Sequence, residues 1–269
     1  MRKFLKSTLY RWIGLGQRLH GPELEPPIWH SHYLASRALH STLMRLCADL
    51  TGRVLDIGAG TGFGGRFLDS KRTCYIPSDL RTGRQPEPLV TKLAERPKVI
   101  CSGYALPFKE ACLGAVMAHS VLEHVSDPAL ILAEAYRALA PNGMLVLSVP
   151  FFFPVHGDPD DFRRWTQQGL AAEAERAGFV VCEAAPVGTA LDSLALNLNF
   201  LIRHHIPASS TVAWRLVFIL FPFVFLGQAL VNMTALIVGC LDRSNAAPIA
   251  VAISARKGPA FNPQQGVHG

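Results

Sequence analysis

The run Val54-Leu55-Asp56-Ile57-Gly58-Ala59-Gly60-Thr61-Gly62 constrains this 269-residue chain more than any other segment. An apolar strand leads into a glycine-rich turn that opens a helix, where a backbone without Cβ atoms can approach a ligand closely. A dinucleotide fingerprint would need its third glycine at position 63, but that residue is Phe63. The spacing is Gly-x-Gly-x-Gly, with Asp56 inside the strand end. It suits a ligand with no pyrophosphate to cradle. The next β unit closes on Ile76-Pro77-Ser78-Asp79. A carboxylate there can accept both ribose hydroxyl protons, the usual role of an acid at that point of such a fold.

The surrounding pattern repeats the same unit. Strands are expected at Arg53–Ile57, Thr73–Ser78, Lys98–Ser102, Leu113–His119, Met144–Val149 and Val180–Ala184, with a last one at Ile249–Ala255. Helical periodicity covers Pro128–Leu139 and is stopped by Pro141-Asn142-Gly143, and a second helix runs from an N-cap at Thr166 to Ala177 and Gly178. Leu34, Leu39, Leu43, Leu46 and Leu50 recur at helical spacing before the first strand. Strands alternating with helices predict a doubly wound, mostly parallel sheet of Rossmann-like type. The expected organisation is a basic helical lead-in at 1–50, a core at 51–185, an apolar insertion at 186–248, a final strand of the core at 249–257 and a tail at 258–269.

Composition enters where it limits partners. Hydrophobic residues make up 49% of the chain and charged residues 17%, so apolar surface must be covered somewhere. The net charge of +6 is not massed on one helix, and no nucleic-acid module is present, so no nucleic-acid partner is expected. The six cysteines form no CxxC pair, and most sit in apolar strand-like runs, so they read as buried thiols of a reducing compartment, not as a disulfide framework or zinc site. Met1 to His20 carries five cations and no acid. It reads either as an amphipathic surface helix that can face a membrane or as a frayed basic tail, and not as a secretory signal.

Several separate segments, in order, carry a family resemblance. They are VLDIGAGTG at 54–62, the acid of IPSDL at 76–80, ALPF at 105–108, VLEHVSDP at 121–128, PNGMLVLSVP at 141–150 and AGF at 177–179. The stretch from Val54 to Val181 resembles the class I S-adenosylmethionine (AdoMet)-dependent methyltransferases, in particular the group that includes small-molecule and quinone methylating enzymes. The resemblance implies a sheet with an antiparallel last strand and AdoMet as cofactor. By the same resemblance Gly58 and Gly60 line the methionine part, Asp56 helps hold its amino group and Asp79 takes the ribose. Ser102-Gly103 flank the adenine, and His119 faces the methionine end. The chain departs from the family at Ser102-Gly103, where Asp-Ala is usual, and at Leu113-Gly114, where Phe-Asp is usual. The first departure puts the strength of adenine binding in question.

Ligands of an open parallel sheet bind beyond the carboxyl ends of its strands. The loop after the fifth strand, from Pro150 to Thr166, reaches that edge with a run of three phenylalanines followed by one histidine and three acids. Methyl transfer to a hydroxyl needs a base, and His156 is the best placed candidate. Phe152, Asp158, Asp161 and Arg164 are the expected substrate contacts. Asp161 and Arg164 can equally pair to fasten the loop, with Thr166 capping the next helix. The His-plus-Asp cluster could hold Mg²⁺, but no metal is the preferred reading. His119 and His124, five residues apart around Glu123, do not share a helix face, which speaks against a metal there. His30 and His32 read as a surface turn in preference to a lid.

Leu216 to Leu241 contains no charged residue and is long enough to span a bilayer. Ile249–Ala255 must nevertheless return to the sheet, and Pro222 and Gly227 interrupt the run. Two shorter helices joined by a bend are expected, dipping into a membrane face together with residues 1–20, with the protein otherwise cytoplasmic. A cap buried against the domain, or an oligomer interface, is the competing reading. The leading function is AdoMet-dependent methylation of a small hydrophobic or lipid-linked acceptor, with O-methylation favoured. A non-catalytic AdoMet-fold protein that uses its apolar cap for a partner or membrane is the alternative.

Overall fold

The parallel order expected from the strand–helix alternation is realised in a computed structural model. It describes residues 26–60, 62–80, 98–156, 159–204, 211–239 and 246–259, with side chains left out at 202–204 and 211–222. The basic segment 1–20, Asp158 and Cys240 lie outside the described residues. Of the described cysteines only Cys47 is buried, and Cys74 and Cys182 are exposed, so the thiols are not the buried set expected from their apolar neighbours.

Seven strands form one sheet: β1 (Gly52–Ile57), β2 (Thr73–Asp79), β3 (Val99–Ile100), β4 (Leu113–His119), β5 (Leu139–Pro150), β6 (Phe179–Val187) and β7 (Ala250–Lys257). Their order is β3-β2-β1-β4-β5-β7-β6. The ladders β1/β2, β1/β4, β2/β3 and β4/β5 are parallel, and β7 runs antiparallel to both β5 and β6. Strand order reverses between β1 and β4, so the ligand crevice of this topology opens at the carboxyl ends of those two strands. Their apolar runs suit burial on both faces: Val54, Leu55, Ala115, Val116 and Met117 are fully buried.

Two strands differ from expectation. β3 is cut to two residues, pairing only Ser78 with Val99 and Asp79 with Ile100. β5 begins at Leu139, because Pro141-Asn142-Gly143 ends the helix and then remains as an unpaired irregularity within the strand. Leu113 pairs with Leu139, and regular pairing resumes at Met144. Asn142 takes φ 61 there, a left-handed conformation Asn tolerates.

Helix α1 (Tyr33–Leu46) buries Leu34, Leu43 and Leu46. Helix α2 (Pro128–Ala138) starts on Asp127, which accepts from Ala129 N–H, with Pro128 in the first turn. Helix α3 (Gln167–Arg176) is capped by Thr166, as expected, which accepts from Gly169 N–H. The departure at Gly114 has a local cause: a Cβ there would overlap the Thr51 carbonyl oxygen, so the approach of β4 to the start of β1 excludes the side chain usual at that position.

The apolar insertion is a helical pair, but not the expected one. Helix α4 (Ala190–His204) packs against α1 and against α5 (Thr211–Gly239), and α5 runs unbroken through Pro222 and Gly227. Pro222 removes one backbone hydrogen bond, which a long helix packed along a neighbour tolerates, and the Gly227 position faces open space. The expected bend at Pro222 and Gly227 is therefore absent from the described part of 216–241. Among the described residues no helix is long and apolar enough to cross a membrane. Leu34, Ala195 and Ala235 form a small apolar cluster where α1, α4 and α5 meet. Beside it Asn199 Nδ2–H donates to Asn232 Oδ1 (2.9 Å), and Asn232 Nδ2–H donates to the carbonyls of Ile28 (2.6 Å) and His30 (3.1 Å).

Candidate active site

The glycine loop is built from left-handed backbone. Gly58, Gly60 and Gly62 have φ of 67°, 53° and 79°, values that favour glycine. A Cβ on Gly58 would lie 2.6 Å from Val121 Cγ2, so this glycine lets the loop close onto the segment after β4. A Cβ on Gly60 would meet nothing within 4 Å. Gly60 therefore borders open volume at the strand ends, the place a bound ligand would take. The loop opens a five-residue 3-10 helix, Phe63–Phe67. Gly64 lies against the Asp56 carboxylate and Gly65 against Tyr75, so side chains there would force the turn off the sheet.

Asp79 ends β2 beside the loop. Its Oδ2 accepts from Gly60 N–H at 2.9 Å and its Oδ1 from Leu80 N–H at 2.7 Å. Each oxygen keeps a second lone-pair site, so the carboxylate can still accept from a diol. Asp56 is buried, and its Oδ2 accepts from the Tyr75 hydroxyl at 2.6 Å. Burial pushes its pKa up to about 7, against the Tyr75 hydrogen bond and with help from Asp79. Ser102 Oγ accepts from Tyr104 N–H at 3.2 Å, and Gly103 packs close to Ile131 and Ile57. His119 Nδ1 lies 3.1 Å from Ser148 Oγ, while its Nε2 is sealed from solvent with no hydrogen-bond partner. Burial lowers its pKa to about 4, which leaves the ring neutral.

A cavity of about 200 Å³ adjoins the ends of β4 and β5. His32, Leu39, Ser120, Ser148, Phe153 and His156 are among its lining residues. His156 is thus placed where the loop reading put it. Phe152, expected as a substrate contact, is half exposed, and its neighbour Phe153 takes the wall because successive side chains of an extended segment face opposite ways. Asp161 and Arg164 fasten the loop. Both carboxylate oxygens of Asp161 accept from the Arg164 guanidinium, at 2.5 and 2.8 Å, and Oδ2 also accepts from His156 N–H at 2.9 Å. These bonds hold the Asp161 carboxyl well below the usual carboxylate range. His32 is no simple surface turn, since its ring meets Phe200 edge-on at 5.1 Å and lines the cavity.

Ser120, Ser148, Phe153 and Glu123 were not legible as a site in the sequence. Ser120 has φ 53, an uncommon value for a residue with a Cβ, at the end of β4. Glu123, in the short turn Leu122–His124, is fully buried with neither carboxylate oxygen hydrogen-bonded. Burial raises its pKa, opposed by His124 and Arg164. Its Oε1 lies 3.8 Å from Nε2 of both His124 and His156, whose rings meet edge-on at 4.9 Å. The structure thus joins His124 to His156, not to His119. Burial lowers the His156 pKa, outweighing the opposing effects of the Pro154 carbonyl and Asp161.

Comparison with known proteins agrees with this geometry. Residues 55–147 match the family model described as a methyltransferase domain. The malonyl-[acyl-carrier protein] O-methyltransferase of Laribacter hongkongensis is 29% identical over 120 residues, covering 40% of this chain and 40% of that protein. The chain spans less than half the length of the curated relatives it matches. Among solved structures, the [4+2]-cyclase SpnF superposes with a TM-score of 0.55 at 18% identity, covering 93% of this chain and 94% of SpnF. A Haemonchus contortus phosphoethanolamine N-methyltransferase 2, bound to S-adenosylhomocysteine, gives 0.50 at 18% identity, covering 83% and 52%. These two likenesses establish the fold alone. Residues 55–147 are a methyltransferase domain of the class I AdoMet-dependent type, and AdoMet is its cofactor.

Proposed function

We propose that this chain, built around that methyltransferase domain, is an AdoMet-dependent methyltransferase that acts on a small hydrophobic or lipid-linked acceptor, at an oxygen. The observation that carries the reading is the presence of two features at the ends of neighbouring strands, the glycine loop after β1 and the cavity at the ends of β4 and β5. An open glycine loop closed by Asp79 lies on one side, and an apolar cavity with a lowered-pKa histidine lies on the other.

AdoMet supplies an electrophilic methyl group on a sulfonium. Asp79 would accept from the ribose hydroxyls, Gly58 and Gly60 would leave room for the methionine part, and Ser102-Gly103 would border the adenine. Asp56, sealed under the loop, would act on the amino group through its hold on loop geometry. The partnerless Nε2 of His119 suits a polar group of the methionine end. Phe153, His32 and Leu39 would exclude water from the acceptor, so that binding energy goes into alignment and desolvation. His156 takes part in activating the acceptor oxygen. O-methylation is favoured because a hydroxyl is a weak nucleophile until a base draws off its proton, and a relative of 29% identity is named an O-methyltransferase.

In this reading residues 51–185 and 249–257 form the core, 1–50 leads in, 186–248 caps the site, and 258–269 is a tail. The cap offers an apolar face for a lipid surface, where Leu194, Leu198 and Leu201 of α4 and Phe223, Leu226, Leu230, Met233 and Ile237 of α5 are exposed.

The test is incubation of the protein with AdoMet carrying a labelled methyl group and a lipid extract. Label in an organic-soluble product, with release of S-adenosylhomocysteine, is the expected result. His156→Ala should keep AdoMet affinity and lose roughly 10²–10⁴ in turnover. Tight AdoMet binding with no transfer to any extract fraction would favour the non-catalytic binding protein.

A further inference from the structure

We infer that Glu123, His124 and His156 form a binding site for a first-row divalent cation of the zinc class, at the edge of the acceptor cavity. One candidate ligand atom from each residue lies within 4.8 Å of the others, and both imidazole Nε2 atoms are 3.8 Å from Glu123 Oε1. Those separations are too long for hydrogen bonds and are what ligands around a missing centre would show. A point among the three atoms lies roughly 2.5 Å from each, and small rotamer shifts would bring it to the ~2.0–2.2 Å of zinc bonds to nitrogen and carboxylate oxygen.

The tautomers point the same way. His124 Nδ1 is 2.5 Å from the Asp160 carbonyl oxygen, and His156 Nδ1 is 3.1 Å from the Pro154 carbonyl oxygen. A carbonyl only accepts, so each Nδ1 carries the proton and donates it. Each Nε2 is then left with a lone pair directed to the metal position, the outer-shell arrangement typical of metal-bound histidines. With Glu123 ionised, three Lewis bases converge with no hydrogen between them. Glu123 sharpens the conflict: its side chain is 0% exposed and neither oxygen has a hydrogen-bond partner among the described residues. A carboxylate in that position is expensive unless it takes up a proton or a cation neutralises it, and a bound cation would replace that proton. The bulk of the wall that holds it is rigid, because Phe162 N–H donates to the Glu123 carbonyl (2.8 Å) and Asp161 pins His156.

Two nitrogens and one carboxylate suit zinc, manganese or iron better than calcium or magnesium, which prefer oxygen donors. Three protein ligands leave coordination positions for water or for an acceptor oxygen. Cation binding stands independently of the proposed function; only its use at the acceptor rests on that reading.

The test uses the full chain, stripped with a chelator and titrated with Zn²⁺ by calorimetry and with Co²⁺ by visible absorption. One cation per chain is expected, with a cobalt spectrum lacking the intense near-ultraviolet band of thiolate ligation. Glu123→Gln and His124→Ala should each weaken Zn²⁺ at least about tenfold. Both should keep wild-type AdoMet affinity, which reports an intact fold. No stoichiometric binding, a thiolate band, or unchanged affinity in both variants would overturn the site. A chain that binds zinc at the cluster yet transfers no methyl group would uphold the site and refute the function. Methyl transfer by a chain that binds no cation would do the reverse.

Discussion

Asp79 connects the loop to the second strand through Gly60 N–H, so its carboxylate does two jobs on one side chain. Asp79→Ala should weaken AdoMet binding by about 1.5–3 kcal/mol, from lost charge-assisted bonds to the ribose and a looser loop. Calorimetry returning wild-type affinity would remove Asp79 from the cofactor site. Asp56 yields a separate prediction in pH. Its folded pKa, about 7, is raised above the unfolded value, chiefly by burial. Such a group contributes stability that is fully present below pH ~4 and is lost as pH rises through ~7. Asp56→Asn keeps an acceptor for the Tyr75 hydroxyl and removes this dependence. Its melting temperature relative to wild type should therefore climb between pH 5 and pH 8. A constant difference across that range would mean that Asp56 is not raised.

At the scale of elements, the helices of the insertion are joined to the segment before α1 by one side chain. Asn232 on α5 accepts from Asn199 on α4 and donates to the carbonyls of Ile28 and His30, next to the cavity residue His32. Asn232→Leu would leave Asn199, which is fully buried, and two carbonyls without their donor or acceptor. The expected cost is about 1–3 kcal/mol in unfolding free energy, with faster amide exchange over residues 28–36 than in the sheet. Unchanged exchange in that segment would show that packing of Leu34, Ala195 and Ala235 alone holds the junction. The bond network is invisible in sequence, because positions 28, 199 and 232 meet only after three separate elements are placed.

At the scale of the whole molecule, β7 enters the sheet between β5 and β6 after α5, so the chain returns to the core it left. The proposed lipid contact must therefore be superficial. Exposed apolar side chains recur on α5 at 223, 226, 230, 233 and 237, the spacing of one helix face. Phe223→Asp with Ile237→Asp should abolish flotation with anionic vesicles. In the wild type, high salt should loosen binding without ending it, since each cation of residues 1–20 near the surface adds only about 1 kcal/mol. If neither protein floats and sedimentation shows a wild-type dimer broken by the same pair, the face is an oligomer interface.

The glycine loop, the acid closing β2, the Thr166 helix cap and the run that forms the last strand were all legible in sequence, and the antiparallel direction of that strand was implied by the family resemblance. Each depends on residues close in the chain: glycines that allow positive φ, an oxygen placed to cap a helix, an apolar run of strand length. His156 was legible because its loop follows a strand whose carboxyl end must face the ligand. Tertiary structure alone decided how the polar side chains are committed. Asp161 and Arg164 bind each other, Phe153 takes the wall in place of Phe152, and Glu123 is sealed beside His124 and His156. The helix through Pro222 belongs with these. Local chemistry marks a break there, and packing against α4 overrides it. The physical reason is common to all of them. Backbone preferences act over a few residues, whereas burial and charge pairing depend on which distant segments the sheet brings together.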